Sequence, residues 1–200
     1  MLLVTDLEGA LADLADGTLD CPTKSCDDRL RPWGHARARR VRHSIDRVTT
    51  LRPRRARCRS CRRSHVLSEL VTYPRRLDTT ETVGQALLAA ADGLGYRRVA
   101  DIVERPATTV RDWLRRARAN SEAVRGDATI AIVRLDPNHD PTALAPTGTV
   151  LGDALDALGH ATAAWVGRFG PCVVSWQLTA HLTRAAFLAV RPHPYWHDPF

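Results

Sequence analysis

The stretches Cys21-Pro-Thr-Lys-Ser-Cys26 and Cys58-Arg-Ser-Cys61 place four of the five cysteines of this 200-residue chain in two close pairs. Each pair can present two thiolates from one tight turn, and a tetrahedral zinc site needs two such turns. The sequence therefore predicts one structural Zn2+ ion held by all four cysteines. Four thiolates fill the coordination sphere of zinc, so no position is left for a catalytic water molecule.

One ligand of this site stays open at the level of sequence. Four residues separate the cysteines of the first pair, which is at the wide end of ligand spacings, whereas two separate those of the second. A neighbouring histidine, His35, His43 or His65, could therefore replace Cys26. The alternative to a metal site is a set of four buried or free thiols.

Positive charge is concentrated in one part of the chain. The formal net charge is +7, and residues 29–76 carry sixteen arginines against Asp46 and Glu69. Residues 1–28, by contrast, carry seven acidic residues and the single lysine, Lys24. A field this uneven attracts polyanions to one side of a molecule, and arginine makes bidentate contacts with phosphate and guanine. The charge pattern favours a nucleic-acid partner over a surface that serves solubility alone.

The cysteine content and the apolar segments bear on the compartment. An odd number of closely paired cysteines favours a reduced, cytoplasmic protein over a secreted disulfide scaffold. The run Met1-Leu-Leu-Val4 is too short for a signal peptide. The apolar stretch 172–190 contains Gln177, His181 and Arg184, which predicts a buried or amphipathic helix and no membrane span. We expect a cytoplasmic, nucleoid-associated protein.

The predicted fold class is mainly α with a small β zinc ribbon. Half-exposed strands are predicted over residues 41–45, 48–51 and 64–67, and residues 73–76 are predicted to be a linker. The predicted segments are a short acidic helix in 1–19, an arginine-rich zinc ribbon in 20–76, a helix-turn-helix domain in 77–125, a C-terminal helical region in 126–190 and a tail in 191–200.

Three helix boundaries carry recognisable capping residues. Thr5 and Glu8 match a capping box at the start of the first helix, and Gly17 is expected to end it. Asp78 or Thr79 is expected to cap a later helix that runs to about residue 91.

A helix-turn-helix is predicted further along the chain. A short helix over 96–104 and a helix from about 108 to 120 flank a turn that Arg105 and Pro106 impose. The position before the turn, where glycine is common, holds Glu104 or Arg105. Thr108 or Thr109 is expected to cap the second of the two helices. An ordinary helical hairpin with charged outer faces is the alternative.

Ten residues are predicted to contact DNA. The N-terminal end of the second helix is the part that reaches base edges in such motifs, while arginines of the ribbon would contact phosphates and fix the orientation. They are Thr108, Thr109, Arg111, Arg115, Arg116 and Arg118 in the helix and Arg52, Arg54, Arg55 and Arg57 in the ribbon.

The last third of the chain predicts further helices. Residues 128–135 are apolar and fit a helix or a strand, with a helix favoured. Residues 149–168 and 171–190 predict a helical hairpin that packs on the preceding helices or pairs with a second copy, so a homodimer is considered. Cys172 is expected to be a core residue, and the proline-rich tail to be loosely attached.

Several motifs resemble an uncharacterised bacterial family that has an N-terminal zinc ribbon and a helix-turn-helix. They are similar as well to the N-terminal DNA-binding region of insertion-sequence transposases. The motifs are Arg31-Pro-Trp-Gly34, Arg54-Arg-Ala-Arg-Cys58-Arg-Ser-Cys61, Ser64-His-Val-Leu67, Gly93-Leu-Gly95-Tyr-Arg-Arg-Val-Ala100 and Thr109-Val-Arg-Asp-Trp-Leu-Arg-Arg116. The resemblance covers residues 20–120 and implies zinc on the four cysteines and double-stranded DNA against the helix predicted from about 108 to 120. The remaining residues leave no room for the nuclease core of a full transposase.

The sequence thus predicts a sequence-specific DNA-binding protein without enzymatic activity, either a transcriptional regulator or a mobile-element-associated protein. No glycine-rich phosphate loop and no nucleophile motif is present. Asp136, His139 and Asp140 lie in a proline- and asparagine-rich turn, where such residues are common for backbone reasons. The alternatives are a non-catalytic fragment or accessory subunit of a transposase or recombinase, an RNA-binding module and a zinc-held protein-interaction module.

Overall fold

A computed structural model describes residues 2–44, 46–170 and 175–189. Within this part of the chain, the predicted mainly helical fold with a small β part is confirmed. The elements, in chain order, are β1 (Leu2–Leu3), α1 (Leu7–Asp16), β2 (Leu30–His35), β3 (Arg39–Arg42), β4 (Val48–Leu51), β5 (Arg54–Cys58), β6 (Ser64–Ser68), α2 (Thr80–Ala91), α3 (Tyr96–Ile102), α4 (Ala107–Leu135), α5 (Val150–Phe169) and α6 (Ser175–Leu182).

The N-terminal part is a four-stranded sheet covered by one helix. The strand order is β1-β6-β5-β2; β1 pairs with β6 in parallel, and the other pairs are antiparallel. Helix α1 packs Leu14 against Leu30 and Leu67 of the sheet, and the thiols of Cys21 and Cys58 belong to the same apolar cluster. The strands predicted over 48–51 and 64–67 are confirmed. Strands β3 and β4 form a separate antiparallel hairpin.

The helices enclose a second and larger core. Trp113, Leu87 and Leu158 are almost completely buried and lie in one cluster together with Tyr73. The segment 73–76 is therefore not the linker that the sequence predicts, because burial of the Tyr73 ring holds it against the helices. The tyrosine was overlooked because the proline and the arginines that follow it are typical of linkers.

Helix α4 is longer than predicted. It runs without interruption from Ala107 to Leu135, so it includes the helix predicted to end near residue 120 and the apolar stretch 128–135. The predicted boundary between residues 125 and 126 falls inside this helix. Gly126 does not end it, because buried residues at helical spacing continue on both sides; they are Val110, Trp113, Leu114, Ala117, Ser121, Val124, Ala128, Ala131, Ile132 and Leu135.

Two of the predicted caps are correct and two are not. Gly17, with φ of 74°, ends α1, and the Thr79 side chain accepts a hydrogen bond from the Thr82 amide at the start of α2. Helix α1, however, is capped by Asp6 and not by Thr5, because the Asp6 carboxylate accepts from the Gly9 amide at 3.1 Å. The Asp6 carboxylate, one residue later, takes the capping role predicted for the Thr5 hydroxyl.

The start of α4 also differs from the prediction. The helix begins directly after Pro106, and no side chain caps it. Thr108 and Thr109 consequently lie within its first turn. Proline is favoured at this end of a helix because its fixed φ suits the helix. An amide hydrogen here would have no intrahelical acceptor, so its absence from proline costs no hydrogen bond.

The C-terminal region follows the prediction in part. Thr149 caps α5 by accepting from the Gly152 amide at 3.0 Å. Helix α6 ends at Leu182, earlier than the predicted residue 190, and a short 3-10 helix (Ala186–Leu188) follows. The start of the second predicted hairpin helix at Pro171, the residue Cys172 and the tail 191–200 lie outside the described residues. No described helix combines the length and apolar character that crossing a membrane would require.

A buried ion-pair network connects the arginine-rich hairpin to the helices. The Asp78 carboxylate accepts from Arg42 Nε at 2.9 Å and from Arg105 Nε at 2.5 Å, and the Arg105 side chain is 1% exposed. The backbone carbonyl of His43 in turn accepts from Arg105 and from the Thr82 hydroxyl. Strand β3, the start of α2 and the turn between α3 and α4 are therefore held at one point.

Replacement of Asp78 tests this network. Asp78→Asn keeps the shape of the side chain but leaves the Arg105 guanidinium buried without its counter-charge. We expect the free energy of unfolding to fall by about 3 kcal/mol or more, as for other broken buried pairs. Urea denaturation followed by circular dichroism measures the change.

Asp101→Asn is the matched control, because Asp101 is an exposed aspartate on α3. Its expected effect is within about 0.5 kcal/mol. Equal stability of the two variants would show that the network does not hold the hairpin to the helices.

Candidate metal centre and nucleic-acid interface

The first cysteine pair lies in a closed loop between α1 and β2. Asp20 and Arg29 form a β-bridge at the base of the loop, and the Cys21 amide donates to the Asp28 carbonyl at 3.0 Å. The Cys26 amide donates to the Thr23 carbonyl at 3.1 Å, which closes a tight turn inside the loop. The four intervening residues thus form a loop that returns Cys26 towards Cys21.

The second pair lies in the turn between β5 and β6. Cys58 is the last residue of β5, and its amide donates to the Arg63 carbonyl at 3.0 Å. Arg62 adopts a left-handed conformation, with φ of 59°, which turns the chain back towards β6. Cys61 is thereby brought to the same side of the turn as Cys58.

The four sulfur atoms form a compact cluster. All lie within 4.8 Å of one another, with Sγ–Sγ distances of 3.7 Å for Cys21 and Cys61 and 3.6 Å for Cys26 and Cys58. A metal ion with Zn–S bonds of about 2.3 Å in tetrahedral geometry requires sulfur separations of about 3.8 Å. The cysteines are free thiols and not disulfides, so the cluster can hold a metal ion. Among the described residues, no histidine belongs to it.

Backbone amides point at three of the sulfur atoms. The amides of Thr23, Cys61 and Arg63 donate to Cys21, Cys58 and Cys61, respectively. Such donors favour the thiolate over the thiol, and thiolates are the form that binds metal. These hydrogen bonds fit the cluster to an anionic, metal-binding role.

The individual thiols differ in acidity. The hydrogen bond from the Arg63 amide is the main cause that lowers the pKa of Cys61 to about 6. Burial dominates at the other two, raising the pKa of Cys58 to about 12 and the pKa of Cys21 above its ordinary value. In the metal-free chain, Cys61 is therefore the most reactive of these three.

Asp28 braces the two turns from outside the cluster. Its carboxylate accepts from the Arg29 amide at 2.8 Å and from the amide and hydroxyl of Ser60 at 3.1 and 2.9 Å. These bonds, first among them the one from Arg29, lower the pKa of Asp28 to about 2. Ser60 lies between the cysteines of the second pair, so Asp28 joins the first loop to the second turn.

A tight turn separates α3 from α4. Residues Val103, Glu104, Arg105 and Pro106 form it, and Glu104 has φ of 53°, the left-handed conformation for which glycine is favoured. The buried Arg105 donates to the carbonyls of Val103 and Glu104 within the turn while it pairs with Asp78. Its side chain thus supports the backbone of the turn from inside.

The predicted DNA-contacting residues of α4 lie on its outer surface to different extents. Thr108, Arg111 and Arg118 are exposed, and Thr109 is half-buried. Within the described part of the chain, Arg111 and Arg118 form no ion pair. These arginines are accordingly available to an anionic partner.

Two other arginines of this helix share one acidic partner. Arg115 and Arg116 donate to the Asp112 carboxylate at 2.7 and 2.9 Å, and Arg76 approaches it at 3.6 Å. The hydrogen bond from Arg115 is the main cause that lowers the pKa of Asp112 below its ordinary value. Arg115 and Arg116 are therefore partly neutralised in the free protein.

The predicted phosphate-contacting arginines lie in and next to β5. Arg52 and Arg54 are exposed, whereas Arg55 and Arg57 are half-buried. Arg54 lies 3.2 Å from the imidazole of His35 on β2. No hydrogen bond or ion pair between described residues joins these arginines to those of α4.

Sequence reasoning missed the residues that connect these surfaces. Arg105 was read as part of a helix-breaking turn, yet it is one of the most buried charged residues. No local pattern marks it, because its partner Asp78 lies 27 residues away along the chain.

Comparison with protein-family models, with curated proteins and with solved structures found no match to this chain.

Alkylation of the metal-free protein tests the electrostatics of the cluster. At pH 7 we expect iodoacetamide to modify Cys61 before Cys58 and Cys21, because a pKa of about 6 leaves Cys61 mostly as the thiolate. The rate at Cys61 should fall as the pH drops through about 6. Peptide mass spectrometry measures the order of modification.

Denaturation with urea serves as the control, since it removes the amide donors and should equalise the three rates. Equal alkylation rates at the three cysteines, in a sample whose circular dichroism shows that the helices are intact, would contradict the lowered pKa of Cys61.

Proposed function

We propose that the protein is a sequence-specific, double-stranded-DNA-binding protein that uses a structural zinc ribbon and a helix-turn-helix. The ribbon would comprise the sheet and the four-cysteine cluster, and the helix-turn-helix would comprise α3 and the first half of α4. We further propose zinc as the metal, because a tetrahedral set of four thiolates suits zinc and leaves no open position. When bound, the ion would act as a cross-link between the two cysteine turns.

The observation that carries the proposal is the support of the turn before α4. Arg105 anchors this turn to Asp78, and Val110 and Trp113 bury the inner side of the helix. The exposed side of the same turns carries Thr108 and Arg111. In helix-turn-helix proteins, this end of the second helix enters the major groove, so a rigidly held, exposed and basic helix start supports base reading.

The arginines divide into two proposed roles. Arg111 and Arg118, which form no ion pair among the described residues, would contact guanine or phosphate directly. Arg115 and Arg116 would first have to break their ion pairs with Asp112. We therefore assign them to contacts with the DNA backbone that position the helix. Arginines of the ribbon would contact phosphate groups; they are Arg52, Arg54, Arg55 and Arg57.

Zinc would contribute to folding and not to chemistry. The apolar cluster around α1 and the sheet is small and includes two of the thiols themselves. Metal binding can replace missing burial in a module of this size. We expect no catalytic activity. A homodimer that binds two half-sites is a separate prediction, and sedimentation with and without DNA would measure the oligomeric state.

Metal analysis tests the zinc assignment. We expect one zinc ion per chain by inductively coupled plasma mass spectrometry. Cys58→Ser combined with Cys61→Ser should abolish zinc binding, because two of the four thiolates are removed. Iron in place of zinc would contradict the assignment of the metal.

The fifth cysteine provides the matched control. Cys172→Ser removes a cysteine that is not part of the proposed ligand set and should leave the zinc content unchanged. Loss of zinc from this variant would contradict the proposed ligand set.

DNA affinity tests the proposed interface. Selection from a random duplex pool should yield a preferred sequence, to which Arg111→Ala binds about tenfold more weakly, because a base or phosphate contact is lost. The affinity of the wild type should fall on the order of 10³-fold between about 50 and 200 mM salt if about six phosphates are contacted. Fluorescence anisotropy measures both.

Arg134→Ala is the matched control, because Arg134 is an exposed arginine of the same helix about 35 Å from Arg111. It should bind as the wild type does. An equal loss of DNA affinity in Arg111→Ala and Arg134→Ala would show a non-specific charge effect. Stronger binding of the wild type to RNA than to duplex DNA would contradict the proposal.

A further inference from the structure

An exposed tryptophan lies on the edge strand of the sheet. Trp33 of β2 is 51% exposed and belongs to neither apolar core of the described chain. The β2–β5 register shifts between Pro32 and His35, and Gly34 has φ of 72° within this irregularity. Such bulges redirect a side chain away from the regular alternation of a strand. The backbone here presents an indole to solvent without using it for packing.

An arginine covers the indole ring from the neighbouring strand. The guanidinium carbon of Arg57 lies 4.7 Å from the centre of the Trp33 ring. Arg57 Nε also donates to the carbonyl of Arg62 at 3.3 Å, which holds the guanidinium in position. Trp33 and Arg57 together form a surface in which the guanidinium is stacked on one face of the indole ring.

This surface lines a small basic cleft. The cleft has a volume of about 280 Å³ and no acidic residue in its lining. Its lining consists of Arg31, Pro32, Trp33, Arg57, Cys58, Arg59 and Arg62. The acidic residues of this region, Asp27 and Asp28, line a separate depression next to Cys26 and Cys61. The cleft therefore suits an anionic ligand with one flat aromatic part.

We propose that this cleft binds an unpaired nucleotide of DNA. The base would stack on Trp33, while Arg59 and Arg62, both exposed, would contact the adjoining phosphates. Within a continuous duplex both faces of each base are already stacked, so the indole would gain a partner only from an unpaired base. The volume suits one base and excludes a double helix.

The inference deepens the proposed DNA binding by naming the form of DNA that is preferred. If α4 holds a duplex, the cleft adds affinity where that duplex continues into a single strand. The alternative role of Trp33 is a cross-strand pair with Arg57 that stabilises the sheet. The two roles differ in what the Trp33→Ala substitution changes.

The test compares three DNAs of the same duplex sequence by fluorescence anisotropy. One is blunt, one has a short single-stranded thymidine tail, and one has the same tail with abasic sites. We expect the wild type to bind the thymidine tail on the order of tenfold more tightly than the other two, the effect of stacking one base. Trp33→Ala should lose this advantage and bind the blunt duplex unchanged, while Trp33→Phe should retain part of it.

Arg59→Ala should reduce the salt dependence of binding to a thymidine oligomer by about 0.7 in the log–log slope, the value for one single-strand phosphate contact. Arg134→Ala is the matched charge control and should leave the slope unchanged. Equal affinity of the wild type for thymidine and abasic tails would overturn the proposal, even if Trp33→Ala failed to fold.

A thymidine oligomer without any duplex separates the two proposals. Oligomer binding that depends on Trp33 would support the cleft even if no duplex bound. If the protein binds the duplex and the single-stranded tail adds no affinity, the proposed role of the cleft is overturned and the proposed function is retained. Tighter binding of a uridine RNA oligomer that depends on Trp33 would overturn the assignment to DNA.

Discussion

The buried carboxylate of Asp78 is the point on which the arrangement of the molecule depends. It lies between Arg42 of β3 and Arg105 of the turn before α4, and the backbone carbonyl of His43 accepts from the same Arg105. Burial of these charges is unfavourable unless every hydrogen-bonding group finds a partner. Arg105 meets this condition only when hairpin, helix start and turn adopt their observed positions, so the network selects one orientation of the arginine-rich hairpin relative to the helices.

Local features of the sequence were predictable and non-local ones were not. The cysteine pairs, the caps at Gly17 and Thr79 and the strand over 48–51 each follow from residues that are close in sequence. The choice of Asp6 over Thr5 as a cap depends on which oxygen reaches the free amide, which spacing alone does not determine. The position of Arg105 depends on a distant partner, and burial of Tyr73 depends on a core that only the tertiary structure creates.

The candidate site divides in the same way. All four cysteines were predicted as one cluster, because thiol pairs on turns have few other uses, and the structure brings their sulfur atoms together. The histidines left open as substitutes lie outside that cluster. The exposed arginines of α4 were visible as a pattern, but the pairing of Arg115 and Arg116 with Asp112 was not considered. The cleft beside Trp33 arises from an irregularity in strand pairing, for which the sequence offers only Gly34 as a sign.

The uninterrupted length of α4 has a mechanical consequence. A helix of 29 residues is a rod of about 43 Å, and its last turns bury Ile132 and Leu135 in the core shared with α5. A helix resists bending where its hydrogen bonds and packing are intact. A displacement of the C-terminal helices would therefore also displace Thr108 and Arg111 at the opposite end of α4. The two ends of this helix cannot change orientation independently.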